Sequence, residues 1–385
     1  MSSVLKKYFP MIRERQNILD EIKSRPNLLE KFNLWTDDER ETFLKYCTGE
    51  RGLKITYDQY FKEVFNPDYT TERLNDMLSC IMGQKVTIIN VLSNEGARIA
   101  SEKSLLMTDI LVQLENGSLV NVEIQKIGIA FPGERAACYS ADLLLREYRR
   151  LRDKKKKNFS YSDIMPVYTI VIFEESPKEL RKAAGYYIHK SNTVFDTGIK
   201  VNLLQKYIFI SLDNFRDIMQ NRVEIVKSDA IQNDYTDDKG IGSSDTGLLH
   251  NRLEEWLMFL SFDEPEYIDM LISHNPYFRE LYEDIYDMCL NTEGLINMYS
   301  KELAELDHNT VIYMIDELKA EVDNQRIEID NQKAEIDSQK AEIDSQKAEL
   351  NNKDTIIATS KKIINEKDNT IAELTRQLEE LKSQK

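Results

Sequence analysis

Two acidic residues lie on opposite sides of a turn in the segment DILVQLENGSLVNVEIQ, which runs from Asp109 to Gln125. Asp109 opens the first apolar run, and Glu123 lies near the end of the second. Antiparallel strands joined at this turn place both residues at similar distances from it. Carboxylates at close quarters repel each other unless a cation lies between them. The segment therefore predicts a site for a divalent cation with oxygen ligands, Mg²⁺ or Mn²⁺.

Gln125 follows Glu123 by two residues, so the alternation of a strand places both side chains on one face. A cation held by two acids polarises a phosphodiester oxygen and lowers the pKa of a bound water, as phosphodiester hydrolysis requires. The residues alone leave an alternative open, in which the two acids lie on an edge strand and face solvent.

Strands and helices that could position these residues follow from the pattern of apolar side chains. Helical patterns cover residues 57–83 and the stretch after Pro132. The predicted strands are residues 86–92, the two arms of the hairpin around the turn at 115–117, residues 167–173 and residues 206–212. The order helix, three strands, helix, strand predicts an α/β or α+β layer fold.

The pattern divides the chain into four parts. Residues 1–54 form a helical segment with a break at Pro26, residues 55–215 hold the sheet, residues 216–308 form a loop and helical part, and residues 309–385 form a coiled coil. Turn formers dominate residues 233–247, which predicts a loop or linker. Trp256 and the apolar residues next to it favour a packed core over a ligand site.

The tail repeats an aliphatic residue every seven positions from Ile315 to Leu378, which predicts a left-handed coiled coil. With this series at heptad position a, position d is polar through the middle of the tail. Glu at position g and Lys at the following e match across a parallel pair, and β-branched residues at a favour two strands. We expect a parallel homodimer through residues 315–381, with a single solvated helix as the alternative.

The chain as a whole is acidic, with 385 residues and a formal net charge of -16. Contact with nucleic acid therefore requires a local basic surface or metal ions. Four scattered cysteines and four histidines argue against a zinc site or a disulfide framework. Neither a signal peptide nor an apolar run of about 18 residues is evident, so we expect a cytoplasmic protein without membrane contact.

The hairpin, an Asp followed about a dozen residues later by Glu-x-Gln, resembles the PD-(D/E)XK nuclease superfamily. Three further segments make the likeness more specific: YDQYFKEVF before the first strand, ERAACYSADLL after the hairpin, and MPVYTIVIF. In this order they are similar to the PD-(D/E)XK nuclease family transposases, also described as recombination-promoting nucleases, over roughly residues 55–215. EWLMFLS and the tail resemble carboxy-terminal parts of some relatives. The chain differs from the superfamily name in reading TDI without a proline.

The resemblance implies an α/β fold with a restriction-endonuclease-like core, a mixed sheet flanked by helices, with helical additions and a long C-terminal coiled coil. It implies that Asp109 and Glu123 are metal ligands, with the Ile124 carbonyl as a possible third. Gln125 stands where the superfamily has Lys and where this family commonly has Gln, and it would orient the attacking water or the phosphate.

Further residues match the family motifs around the hairpin. The likeness places Asp58 near the metal, although an amino-terminal helix cap is an equally good interpretation. Phosphate contacts are implied for Lys62, Arg135 and Tyr139, and the last two share a helix face. The basic stretch at 146–157, with Arg149 and Arg150, could hold a DNA backbone or could be a solvated helix end.

Two functional hypotheses follow. The first is a metal-dependent DNA endonuclease that hydrolyses phosphodiester bonds in recombination or transposition and is dimerised by its tail. The second is a nuclease-like interaction protein with little or no hydrolytic activity, displayed on a coiled coil.

Overall fold

The computed structural model describes residues 4–66, 71–92, 110–127, 133–232 and 248–383. The predicted loop at residues 233–247 lies outside these ranges. The chain divides into two compact units, Met1–Val311 and Ile312–Lys385. Nowhere in the described ranges is there a helix with the length and apolarity needed to cross a membrane.

A mixed six-stranded sheet lies at the centre of the first unit. Its spatial order is β1-β2-β3-β4-β6-β5. The strands are β1 (Ile88–Val91), β2 (Ile110–Leu114), β3 (Leu119–Ile127), β4 (Val167–Glu175), β5 (Ile188–Lys190) and β6 (Gln205–Ser211). β3, β4 and β6 run parallel, and the other pairings are antiparallel. The predicted α/β fold with a mixed sheet is confirmed, whereas the three residues of β5 are too few to produce a sequence pattern.

The hairpin of β2 and β3 forms at the predicted turn. Ile110 pairs with Val122, and Val112 pairs with Val120. Gly117 has φ 89°, which L side chains rarely adopt, and the Asn116 side chain accepts a hydrogen bond from the Ser118 backbone at 2.9 Å. The Asn-Gly turn thus sets the register that the rest of the hairpin follows.

Helices make up most of the described residues outside the sheet. Their bounds are α1 (Arg15–Ser24), α2 (Pro26–Leu34), α3 (Asp37–Thr48), α4 (Asp58–Val64), α5 (Glu72–Met82), α6 (Gly133–Lys155), α7 (Lys178–Arg181), α8 (Leu212–Gln232), α9 (Arg252–Ser261), α10 (Pro265–His274), α11 (Tyr277–Leu290) and α12 (Thr292–Ser383). Between residues 4 and 54 the structure has three α-helices, whereas the single break at Pro26 predicts two. Pro26 opens α2, where its missing N–H costs no helical hydrogen bond, so the predicted break is real.

The two faces of the sheet are covered by different helices. One face packs into the main core, which is shared with the amino-terminal helices and with α8 to α11, through Val120, Val122, Ile170 and Ile172. The other face packs under α6 through Leu119, Val167, Val171 and Phe173. Burial on both faces explains why β4 reads as an unbroken apolar run.

Aromatic side chains connect the beginning of α12 to the amino-terminal helices. Tyr299 contacts Trp35 edge-on with ring centroids 4.9 Å apart, and it lies 5.8 Å from Phe43.

Trp256 is fully buried and packs against Phe278 at 5.1 Å. The prediction that Trp256 belongs to the core is confirmed.

The second unit is the long carboxy-terminal part of α12. The aliphatic residues that recur every seven positions, such as Ile329, Ile336 and Ile343, are each about half exposed along this helix. The predicted long helix is therefore confirmed. The homodimer remains a prediction.

A buried ion pair joins α8 to α9. Glu254 is 2% exposed and accepts hydrogen bonds at 2.9 Å from Arg222, from the Tyr187 hydroxyl and from the His250 backbone. Burial by itself raises the pKa of Glu254. The hydrogen bonds, of which the one from Arg222 lowers the pKa most, together outweigh burial and bring the pKa below its ordinary value.

We expect Glu254→Gln to lower the free energy of unfolding by about 3 kcal/mol at pH 7, because Arg222 loses its buried counter-ion. A lowered folded pKa stabilises the protein above the unfolded pKa of about 4.3, and this contribution disappears as pH falls through the folded pKa. Urea unfolding at decreasing pH measures the effect, and the difference between wild type and variant should narrow below about pH 4.

Glu283→Gln, which removes an exposed pair with Arg279, is the control and should cost less than about 1 kcal/mol. A difference that does not change with pH contradicts the prediction.

Candidate active site

Strand β3 holds the acid of the predicted site. Glu123 is 5% exposed, and its Oε1 accepts a hydrogen bond from the Asn121 Nδ2 at 2.8 Å. Asn121 is itself fully buried. Residues 121, 123 and 125 alternate onto one face, so Asn121, Glu123 and the half-buried Gln125 form a polar row on the side covered by α6.

The other predicted acid, Asp109, lies outside the described residues. Its neighbour in the chain is Ile110, which is the first residue of β2 and pairs with Val122. Val122 in turn directly precedes Glu123. The described hairpin therefore extends to the residue next to each predicted ligand, and the pairing of the two acids remains a prediction.

Asp58 is the first residue of α4, and Tyr57 occupies the amino-terminal cap position. The Asp58 Oδ2 accepts hydrogen bonds from Lys62 at 2.8 Å and from Gln59 at 3.1 Å. Its Oδ1 is buried and has no hydrogen-bond partner in the part of the chain that the structure describes. Asp58 thus does not cap its helix, and one of its carboxylate oxygens is available to a cation.

Lys126 follows Gln125 but lies on the opposite face of β3. Its ammonium group is 4.5 Å from the ring of Tyr57 and forms an ion pair with Glu302 of α12, whose side chain is fully buried. These contacts connect the start of α4 and the start of α12 to the end of β3. Because Lys126 faces away from Glu123, its cation does not replace the amide of Gln125.

Arg135 and Tyr139 lie on one face of α6, as predicted. The Tyr139 hydroxyl accepts hydrogen bonds from the Arg135 Nε at 3.1 Å and Nη2 at 3.0 Å. The Tyr139 ring packs against Val171, which pairs with Glu123 across β3 and β4. Arg135 is exposed, so α6 presents a guanidinium group on the sheet face that carries Glu123.

Arg149 and Arg150 are neighbours with different environments. Arg150 donates to both carboxylate oxygens of Glu147, at 2.7 and 2.8 Å, and Glu147 is fully buried. The hydrogen bond to Glu147 raises the pKa of Arg150 above its ordinary value. Arg149 is exposed and has no ion-pair partner among the residues that the structure describes. Only Arg149 of the two presents an unpaired charge to solvent.

The donors on β3 and α4 are oxygen atoms, which suits a hard cation such as Mg²⁺ better than zinc. On β3 they are the Glu123 carboxylate and the Gln125 amide oxygen, which share one face, and on α4 there is the remaining Asp58 oxygen. Within the described ranges, no group of three or more His, Cys, Asp or Glu residues is arranged to hold a metal ion. The chemistry of these donors fits a divalent cation, whereas Asp109, the other predicted ligand, lies outside the described residues.

Asn121, Glu302 and Glu147 were not singled out from the sequence. Asn121 had a usable signal, since the alternation that joins Glu123 to Gln125 also includes residue 121. Glu302 lies 176 positions beyond Lys126 in the chain, and no sequence pattern links them. Their contact depends on the path of α12 alone.

Comparison with known proteins identifies one related family. The model of the family described as PD-(D/E)XK nuclease family transposase matches residues 55–314. No curated protein and no solved structure matches the chain. The match extends the resemblance beyond residue 215, through α9 to α11 and into α12.

The two arginines give a matched test of structural and exposed charge. We expect Arg150→Ala to lower the free energy of unfolding by about 2 kcal/mol, because it leaves Glu147 buried without its cation. Arg149→Ala should change it by less than about 0.5 kcal/mol, since that side chain is exposed. Urea unfolding monitored by circular dichroism measures both values. Equal losses in the two variants contradict the assignment.

Proposed function

Because the chain belongs to the PD-(D/E)XK nuclease family transposases, we propose that it is a metal-dependent endonuclease that hydrolyses phosphodiester bonds of DNA in recombination or transposition. The position of Glu123 carries the proposal. A buried carboxylate, held by Asn121 in the middle of β3, lies in a hairpin whose other strand begins directly after position 109.

The metal ligands in this proposal are Asp109 and Glu123, with the Ile124 carbonyl as a third. Support comes from the hairpin register: if the pairing of Ile110 with Val122 continued by one residue, position 109 would lie opposite Glu123. Directly opposed residues of antiparallel strands have side chains on the same face. Asp58 is a further candidate, because its buried Oδ1 has no hydrogen-bond partner in the described part of the chain.

A bound Mg²⁺ or Mn²⁺ would supply Lewis acidity toward the phosphate and lower the pKa of the attacking water. Gln125 acts by orientation, since its amide oxygen accepts from the water and its amide nitrogen donates to a phosphate oxygen. An amide does not take up a proton near neutral pH, so Gln125 is not a general base. Arg135 and Lys62 supply positive charge to the DNA backbone.

The tail makes the protein a parallel homodimer in this proposal. The half-exposed aliphatic residues of α12 repeat every seven positions, so a second copy would cover them along the whole series. Glu at position g and Lys at position e complement each other between two copies. A dimer carries two active sites, so that each could cut one strand of a DNA duplex.

A cytoplasmic location forms part of the proposal. Cys47, Cys80, Cys138 and Cys289 are all free thiols, which fits a reducing compartment. Burial raises the pKa of Cys289 to about 12, so this thiol stays protonated and unreactive.

The second candidate is a nuclease-like interaction protein with weak or no hydrolytic activity. The amide at Gln125 favours it, because the superfamily commonly has an ionisable lysine there. A cleavage assay separates the two functions.

We expect the full chain to nick supercoiled plasmid DNA with Mg²⁺ or Mn²⁺ and to stop when EDTA is added. Asp109→Asn and Glu123→Gln should each reduce the rate at least about 100-fold, since each removes a charged ligand worth several kcal/mol. Glu123→Gln retains an oxygen for the Asn121 hydrogen bond, and circular dichroism checks its fold. Glu115→Gln, at the exposed hairpin turn, is the matched control and should cut like wild type. Unchanged cutting by both site variants refutes the enzyme and favours the second candidate.

The dimer is tested by removing residues 315–385 and measuring mass by multi-angle light scattering. We expect the full chain to have twice the mass of one copy and the shortened chain to be a monomer, because the aliphatic series is then absent. As a control, Ser338→Ala in the tail should leave the mass unchanged, since position 338 falls outside the a and d series. If the full chain and the shortened chain contain the same number of copies, the coiled-coil dimer is wrong.

A further inference from the structure

The carboxy-terminal end of α6 concentrates positive charge on an acidic protein. Residues 146–157 contain eight cationic and two acidic side chains, although the whole chain has a formal net charge of -16. Within this stretch, Arg146, Arg150 and Lys155 pair with carboxylates of Asp142, Glu147 and Asp163. The described residues provide no carboxylate partner for Arg149, Lys154, Lys156 or Lys157, which are all exposed.

Three aromatic rings lie in or next to this stretch of the chain: Tyr148 within it, and Phe159 and Tyr161 shortly after it. Tyr161 stacks on Tyr148 with an angle of 11° between the rings and centroids 6.1 Å apart. Phe159 meets both rings edge-on at 5.5 Å. Tyr161 nevertheless remains 73% exposed, so most of its surface is open to solvent. We define these three rings and the four unpaired cations as the basic aromatic patch.

The rings of the patch are held in place before any ligand binds. Arg152 donates a hydrogen bond to the Tyr148 hydroxyl, and its guanidinium group lies 5.7 Å from the centre of that ring. The Ser160 hydroxyl caps the turn that begins at Tyr161, and Lys155 pairs with Asp163 at 2.6 Å. An aromatic side chain fixed in this way loses little conformational entropy when a ligand stacks on it.

The backbone at Lys156 turns the chain back toward Tyr148. Lys156 has φ 48°, in the left-handed region that favours glycine. A lysine at this position adds an exposed ammonium group to the patch at some conformational cost. The turn both ends α6 and returns Phe159 and Tyr161 to the face of the helix on which Tyr148 lies.

From these observations we propose that the basic aromatic patch binds single-stranded DNA, with an unpaired base stacked on Tyr161 and the backbone phosphates on the surrounding cations. Every base has a flat face that stacks on an aromatic ring, and a basic groove beside such rings is how proteins hold single strands without sequence preference. Duplex DNA offers only its phosphates, because its bases are already stacked. An acidic peptide would use the cations but not the exposed ring.

The inference rests on the proposed function, since it takes DNA as the substrate, and it specifies that substrate as DNA with an unpaired segment. Tyr139 and Arg152 are 13 residues apart on α6, which corresponds to about 20 Å along the helix. A strand with the helical spacing of 3.4 Å per nucleotide covers that distance with about six nucleotides. A flap, gap or opened end can therefore occupy the patch while an adjoining segment reaches the sheet face of Glu123.

The test is fluorescence anisotropy of the full chain with a labelled 15-nucleotide oligo-dT and with a 15-base-pair duplex, both in EDTA. We expect Tyr161→Leu to weaken oligo-dT binding about tenfold, because base stacking is lost, and to change duplex binding less than twofold. Tyr161→Phe keeps the ring and should bind oligo-dT within threefold of wild type. Lys157→Glu should weaken both ligands, since it removes a phosphate contact. Tyr186→Leu, at a tyrosine that is 69% exposed elsewhere, is the matched control and should change neither affinity.

Each outcome separates the patch from the nuclease proposal. If Tyr161→Leu retains a wild-type melting temperature and binds oligo-dT as tightly as wild type, the stacking site is refuted. Equal weakening of oligo-dT and duplex also refutes it, as does competition by a poly-glutamate peptide as effective as unlabelled oligo-dT. Binding is measured without a divalent cation, so the affinities do not depend on cleavage. A chain that shows the Tyr161 dependence but never nicks plasmid supports the patch and refutes the nuclease.

Discussion

A carboxylate buried inside a sheet is the constraint on which the rest of the site depends. Moving an ionised carboxylate out of water costs several kcal/mol, and an apolar residue at position 123 would avoid that cost, as Val122 and Ile124 do on either side. The hydrogen bond from Asn121 offsets part of it and fixes the orientation of one oxygen. In the proposed function, a hard cation bound by oxygen donors offsets the rest of this cost.

The strand that carries Glu123 is held from both of its faces. On one face, α6 packs through Tyr139 onto the strand beside Glu123. On the other, Lys126 lies between the ring of Tyr57 and the buried carboxylate of Glu302. Residues from α4 and α12 thus meet at the end of β3, next to the polar row. Packing of this kind restricts the position of a catalytic side chain more tightly than a loop does.

Positive charges in this protein serve two different purposes. Arg222 and Arg150 each neutralise a carboxylate that is almost fully buried, so their charge is used within the fold. The unpaired cations at the end of α6 remain exposed, in the same patch as Tyr161, which stacks on Tyr148. On a chain with a net charge of -16, such a local concentration is what an anionic strand can recognise. Net charge therefore says little about which ligands the surface binds.

The sequence by itself determined the features that depend on neighbouring residues. The Asn-Gly turn and its flanking apolar runs predicted the β2–β3 hairpin, and alternation placed Glu123 and Gln125 on one face. The apolar run at residues 167–173 predicted β4, and the seven-residue period predicted the long helix. The family motifs predicted the restriction-endonuclease-like class of fold. These signals are readable because strand alternation, turns and helical repeats act over a few residues.

Tertiary structure decided what depends on residues far apart in the chain. The pairing of Lys126 with Glu302 and the short strand β5 follow from how distant segments pack. The contrast between Arg149 and Arg150 is of the same kind, because Glu147 lies on the buried side of α6, where it pairs with Arg150 and leaves Arg149 to solvent. Tyr161 stacks on Tyr148 because the chain reverses at Lys156, and thirteen residues of sequence separation conceal that contact. Burial and contact are properties of the folded chain, so spacing and residue type do not reveal them.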